Sequence, residues 1–443
     1  MNAVVPADHA RLQALGERLG DHFYVVDLGR FEANCRDLLS AFTTHHANTR
    51  LGYSYKTNYL PAMCRVADEL GAYAEVVSGM EYELARRLDV PAERIIFNGP
   101  YKPADALRRA LSEGAVVNLD SLDEVAAVVA MRAHPHTGTF RVGLRCHPGV
   151  AAIGSRFGLD IASGELKAAI AALRNAGDID IVGLHCHVCP PKRQAAVYRA
   201  VTESVIDAAL DHFDGKPPAV INMGGGFYSR MPAALAARWS FPIPSFEDYG
   251  EAIAGTVARR LGNDSGTELV IEPGVSVTAD AMHFACQVVA LKDLLAGRIA
   301  MVSGSVYNIK PTKNSANLPM DVVRQPAGPM QHVASGPLDV TGYTCMEDDV
   351  MFAGYHGELG VGDWLVFHNV GAYTNVLKPP FIRPAPAMAA VDDSGEVTDI
   401  VARAATFDDV FAAYNLAQPD EKARLTAPAA DSPTSNVPGG AHG

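Results

Sequence analysis

The chain has 443 residues, 48% hydrophobic and 20% charged, with a formal net charge of −13. That balance suits a globular protein with a large buried core, and it excludes a disordered or fibrous one. An acidic chain is not built to hold nucleic-acid phosphates, and seven scattered cysteines do not read as a disulfide framework.

The opening stretch MNAVVPADHARLQALGERLG has no apolar run of the kind a signal peptide needs. Runs such as VVALKDLLAG are too short, and too soon interrupted by charge, to cross a bilayer. A cytoplasmic protein with no membrane or nucleic-acid partner is expected.

From Phe23 onward, short β-branched runs alternate with helical stretches: FYVVDL, FEANCRDLLSAF, LGYSYKTN, PAMCRVADEL. Pro61 suits a first helical turn, with Ala62, Val66 and Leu70 on one face. Ser121 and Glu124 predict a capping box ahead of a helix carrying Val125, Val128 and Val129. Strand-like pieces recur at RVGLRCHP, DIVGLHCHV, AVINMGGGF and TELVIEPG, with helical material between them. This alternation implies a mostly parallel α/β sheet, and by Pro273 there are enough units to close a barrel. After Ala279 the texture turns to strands and turns. The expected division is an N-terminal segment 1–22 that joins a β-rich domain, a barrel over 23–279, the β domain over 280–417, and a flexible tail over 418–443.

Polar residues cluster just after the strands, where barrel enzymes place their chemistry. Lys56 closes LGYSYK, where tyrosines could desolvate its amine; a lysine snorkelling off the barrel is the plainer account. Gly224, Gly225 and Gly226 follow an apolar strand and could let backbone N–H groups approach an anion. Glu272, in IEPG, ends a very apolar strand, so its carboxylate needs a partner: a cationic ring nitrogen, or an arginine of the barrel. His185, His187 and Cys189 alternate in GLHCHVC and would share one strand face, but no fourth ligand stands at metal spacing, so no metal site is expected. Cys345, in GYTCMEDD, reads from position alone as a buried thiol.

Taken together, these pieces resemble the pyridoxal-phosphate-dependent decarboxylases of the alanine-racemase fold, the family of diaminopimelate, ornithine and arginine decarboxylases. The resemblance runs from Phe23 to Leu377. It implies a (β/α)8 barrel with a second β domain, pyridoxal 5'-phosphate as cofactor, and a homodimer whose active sites are shared between subunits. Lys56 would be the Schiff-base lysine. Glu75 and Glu81 match recurring acidic residues, and His187 matches the imidazole stacked on the ring. Gly224 to Gly226 match the phosphate-binding glycines, Glu272 the partner of the pyridine nitrogen, and Tyr373 the tyrosine near the phosphate. Cys345 matches the partner subunit's cysteine, the candidate proton donor.

The chain departs from the family where anions are held. Pro190 replaces a serine that contacts phosphate, and Val275 replaces an arginine after EPG. Met346 follows Cys345 in place of an acid, and Glu347 and Asp348 next to it are candidates to receive a basic substrate side chain. Asp321 matches the acid that holds a distal amine in basic amino-acid decarboxylases, while Lys310, Lys313 and Arg324 could hold a substrate carboxylate. The resulting expectation is decarboxylation of a diamino acid, or of a conjugated diamino acid in siderophore or other specialised amine synthesis. Diaminopimelate decarboxylation, racemisation and a non-catalytic cofactor-binding role are the alternatives.

Overall fold

A computed structural model describes residues 8–132, 138–150, 153–190, 192–295, 297–313, 316–326 and 333–416. The tail read at 418–443 lies outside them.

The strands Thr49–Ser54, Tyr73–Val76, Ile95–Phe97, Val116–Leu119, Phe140–His147, Ile179–His185, Val220–Asn222 and Glu268–Ile271 pair in parallel, in chain order. The last returns to the first, with Leu269 opposite Thr49 and Ile271 opposite Leu51, so the sheet closes into a barrel. Helices such as Leu28–Thr43, Pro61–Glu69 and Ala195–His212 lie between the strands and cover them from outside. Strands such as Ile95–Phe97 and Val116–Leu119 are therefore buried at every position, which is why they read as continuous apolar runs.

Pro61 takes the first helical turn, as its missing N–H allows. The capping box expected at Ser121 and Glu124 is half formed. Ser121 Oγ accepts from the Glu124 N–H at 3.3 Å, but the Glu124 carboxylate accepts from the Asp120 N–H at 2.9 Å and pairs with Lys102 at 3.0 Å. Lys102 has a fully buried side chain, and its charge takes the carboxylate away from the box.

The second sheet is mixed, and His22–Asp27 is one of its inner strands. That strand lies antiparallel to Met282–Leu294 and parallel to Met388–Val391. The FYVVD run thus belongs to this sheet and does not open the barrel at 23. All six of its positions are buried, so its sequence looks like a barrel strand. Helix His9–Leu19 packs Leu12 and Leu15 in a small core with Phe23, Val25 and Trp364.

The two domains meet at the mouth of the barrel. The Tyr373 N–H donates to the Thr57 carbonyl at 2.9 Å, and Asn58 Nδ2 donates to the Gly371 carbonyl at 2.9 Å. The turn that carries Lys56 is therefore clasped by a loop of the second domain. No helix among the described residues is long and apolar enough to cross a membrane.

At Gly183, in the sixth barrel strand, an added Cβ would fall on the Val220 carbonyl oxygen of the next strand. Backbone cannot yield as a side-chain tip can. Gly183→Ala is expected to destabilise the barrel by about 1–3 kcal/mol, read as a lowered midpoint of thermal unfolding; an unchanged midpoint would show slack between these two strands.

Candidate active site

Lys56, one of the functional candidates, lies just past the first barrel strand, on a turn held by the Thr57 N–H on the Ser54 carbonyl at 3.1 Å. Its Nζ reaches Glu75 Oε2 at 2.5 Å and Ser54 Oγ at 3.2 Å. Ser54 Oγ also donates to Glu75 Oε2. Glu75 ends a strand in which it is completely buried. Burial alone would lower the Lys56 ammonium, but the carboxylates of Glu75 and Glu272 outweigh it and hold the amine above its ordinary range.

Asn98 joins the two carboxylates. Its Nδ2 donates to Glu75 Oε1 at 2.9 Å and to Glu272 Oε1 at 2.7 Å, using both amide hydrogens. Its Oδ1 accepts from Asn118 Nδ2 at 2.7 Å, which fixes the orientation of the amide. Glu272 Oε1 also receives Asn222 Nδ2 at 2.7 Å, and Oε2 receives His185 Nε2 at 3.3 Å. Burial would raise the Glu272 acid, yet the His185 and Lys56 charges and the bond from His185 overcome it and keep the carboxyl well below the usual range.

His187 is held differently. The Gly225 N–H donates to its Nδ1 at 2.9 Å, so Nδ1 is the acceptor and the proton sits on Nε2. Burial, with Lys56 nearby, pushes its pKa down to about 3, and the ring is neutral at physiological pH. The strand ends at His185, so the expected common face of His185, His187 and Cys189 does not extend that far. His185 faces Glu272, His187 faces the glycine loop, and Cys189 is exposed.

The three glycines form a cradle that admits no side chain. A Cβ at Gly224 would lie 2.6 Å from His187 Cβ, and one at Gly226 would lie 2.7 Å from the Val188 carbonyl oxygen. Their φ values of +61° and +87° also require glycine. Tyr198 supports the loop, donating its hydroxyl to the Gly226 carbonyl at 3.0 Å.

Other expected residues lie elsewhere. Tyr373 stands at the mouth with φ +60°, its backbone bonded to Thr57. Cys345 is exposed and not buried, in the turn between Val333–Thr341 and Val350–Gly360. That turn is organised by buried Asp349, which accepts from Val306 N–H at 2.7 Å and Thr344 Oγ1 at 2.6 Å. Asp321 is bonded to His368 Nε2 at 2.9 Å, and Arg324 to Glu358 at 2.9 Å. Asp348 pairs with Lys313 at 2.8 Å, and Glu347 is exposed. None of these four touches the Lys56 cluster.

Asn98, Asn118, Asn222 and Ser54 were not singled out from the sequence. A signal was present: each asparagine lies at or just before the C-terminal end of an apolar barrel strand or directly after it, in IIFN, VVNL and VIN.

Glu272, held ionised at the barrel mouth, suits a protonated ring nitrogen, and the glycine cradle would take an anionic tail. The residues present thus fit pyridoxal phosphate, and a closed parallel barrel with a second β-sheet domain is the scaffold of one class of enzymes that use it. Residues 28–279 match the sequence profile described as pyridoxal-dependent decarboxylase, pyridoxal binding domain. A diaminopimelate decarboxylase of Corynebacterium efficiens is 28% identical over 436 residues, covering 93% of this chain and 91% of the relative. That of Methanocaldococcus jannaschii is 26% identical over 383 residues, covering 81% and 83%. The crystal structure of the M. jannaschii enzyme in complex with L-lysine superposes with a TM-score of 0.78 at 24% identity, covering 92% of this chain and 94% of that one. The chain belongs to the pyridoxal-dependent decarboxylase family. It is a pyridoxal-phosphate-dependent carboxy-lyase acting on an amino acid.

Glu81, the second acidic residue of the family motif, lies beside this cluster, accepting from the Val77 N–H at 2.8 Å. Burial, reinforced by Glu75, pushes its acid up to about 7 from 4.5, against the Val77 bond. Its folded pKa lies above the unfolded one, so the folded state binds the extra proton and stability falls as pH rises from 4.5 to 7. Denaturant titrations across that window are expected to show a smaller fall with pH in Glu81→Gln than in the wild type. Parallel curves for the two proteins would mean that folding leaves the Glu81 pKa unshifted.

Proposed function

We propose that this enzyme decarboxylates a diamino acid, with diaminopimelate as its first substrate, at a site centred on Lys56. The observation that carries the site is the buried chain from Lys56 through Glu75 and Asn98 to Glu272. Lys56 would hold the cofactor covalently, Glu272 would hold the pyridine N–H, and the Gly224–Gly226 loop with Tyr373 would receive the phosphate. Bound pyridoxal phosphate supplies the electron sink for the pair left on the α-carbon when CO2 departs.

The remaining work belongs to the chain. Glu272 stays ionised because three donors surround it, so it can keep a proton on the ring nitrogen. His187, neutral and fixed in one tautomer, adds bulk against the ring without adding charge. Exposed Cys345 would act at the site of the partner subunit, returning a proton from Sγ to the α-carbon. A subunit boundary there would also exclude water from the reacting centre.

The acids expected to hold a bare distal amine are already engaged: Asp321 with His368, and Asp348 with Lys313. Lys310 is available instead, in a cavity of about 300 Å³ that it shares with the Lys313–Asp348 pair and Asp339. Burial lowers the Lys310 ammonium, with Arg238 adding repulsion, and among the described residues its Nζ bonds only to the Ala316 carbonyl, at 2.9 Å. Lys310 follows helix Val306–Ile309, which packs on Thr374–Leu377, directly after Tyr373. A substrate carboxylate would relieve that desolvated charge. This supports a substrate whose far end carries a carboxylate, as diaminopimelate does. The named relatives support the same choice over a conjugated diamino acid of specialised amine synthesis.

Mass spectrometry of products from a mixed amino-acid panel tests the reading. Diaminopimelate is expected to lose CO2, and Lys56→Ala to lower that rate by about a thousandfold or more. Conversion of a different panel member alone would overturn the substrate assignment, and isomerisation without CO2 release would replace the reaction with racemisation.

Shared sites have their own test. Lys56→Ala and Cys345→Ala are each expected to be nearly inactive. Mixed dimers of the two would regain intact sites, about a quarter of the total after random exchange. No recovery, with exchange verified, would place Cys345 outside the partner's site.

A further inference from the structure

A pyridoxal phosphate tail carries close to two negative charges, and the glycine loop brings no counter-charge; its Gly224 and Gly225 N–H groups are already bonded to Asn222 Oδ1 and His187 Nδ1. Pro190 brings neither a hydroxyl nor an N–H, and Val275 brings no cation. Two arginines flank the loop. Arg230 is committed, paired with Asp37 and lying over the Phe246 ring at 5.0 Å. Arg193 is not. Its Nη1 donates to the Phe227 carbonyl at 3.3 Å, one residue past Gly226, and its guanidinium lies 4.8 Å over the Tyr228 ring. Among the described residues it meets no carboxylate, and Nε and Nη2 have no hydrogen-bond partner.

The chain bends sharply to bring it there. Arg193 has φ +45°, a left-handed conformation costly for a residue with a Cβ. Its N–H donates to the Pro190 carbonyl at 3.0 Å, and its own carbonyl accepts from Tyr249 OH at 2.9 Å. Tyr198, one turn into the following helix, holds the carbonyls of Gly225 and Gly226. Arg193 and Tyr198 thus both bond to the glycine loop or its flank, at Phe227 and at Gly225 and Gly226.

We infer that Arg193 is the cation that holds the cofactor phosphate in this chain, in place of the hydroxyl and guanidinium missing at positions 190 and 275. The inference rests on the cofactor site described above and is independent of which amino acid is decarboxylated. A guanidinium matches phosphate with paired N–H donors, and the aromatic face of Tyr228 orients its plane.

The test compares two cofactors on the full-length protein. Wild type, Arg193→Ala and Arg193→Lys are loaded with pyridoxal phosphate or with pyridoxal, which lacks the phosphate. Visible absorbance on serial dilution then gives each dissociation constant. Arg193→Ala is expected to weaken pyridoxal phosphate by roughly 10- to 100-fold and leave pyridoxal unchanged. Arg193→Lys should recover part of the loss, because it keeps the charge but not the paired donors. Equal binding of pyridoxal phosphate by wild type and Arg193→Ala would overturn the assignment. So would an equal loss of both cofactors, which would make Arg193 only a brace for the loop. Neither measurement involves substrate, so a wrong substrate assignment would leave the result standing.

Discussion

Glu75 and Glu272 are two buried carboxylates separated by a single amide, and the site depends on how they are kept ionised. A lone carboxylate in a barrel interior would take up a proton. Here each oxygen of the pair has a donor: Lys56 and Ser54 on one side, Asn98 between them, Asn222 and His185 on the other. Because Asn98 spends both amide hydrogens on the pair, one residue ties the carboxylate that positions the lysine to the one that faces His185. Asn118 in turn decides which way that amide points. The network is satisfied nearly throughout; the exception is His185 Nδ1, buried without a partner among the described residues.

Much of this was legible before the fold was known, for identifiable reasons. Lys56, Glu272 and the glycines stand out because a charge or a triple glycine at the end of an apolar run is costly unless it is used. The barrel was legible because buried parallel strands are apolar at every position. The same property misled at His22–Asp27, where an inner strand of the second sheet carries the same pattern. The asparagines were missed because a single amide after a strand has no charge to explain, and its value appears only when three such amides converge. Cys345 and Asp321 show the opposite limit. Sequence order can align them with a motif, but only packing shows that Cys345 is exposed and that Asp321 is bonded to a histidine.

The two domains divide the labour. The barrel supplies the buried ionic chain and the glycine cradle, both rigid because they grow from strand ends. The second domain supplies what must reach across: Tyr373 on a left-handed turn, Lys310 after a short capped helix, and Cys345 on a turn braced by Asp349. The hydrogen bonds between Thr57, Asn58 and the 371–373 loop make the join direct, so the lysine turn cannot shift without moving the second domain.

The placement of His22–Asp27 bears on how the chain assembles. This strand is held between Met282–Leu294 and Met388–Val391, so its two neighbours are made long after it leaves the ribosome. The barrel between them can close in order as it is synthesised, each strand meeting its predecessor. The apolar strand ahead of it must wait, and pairings over such separations are slow and leave edges open in the meantime. A strand made before the barrel is thus covered only after the barrel is complete, which leaves it dependent on protection during synthesis.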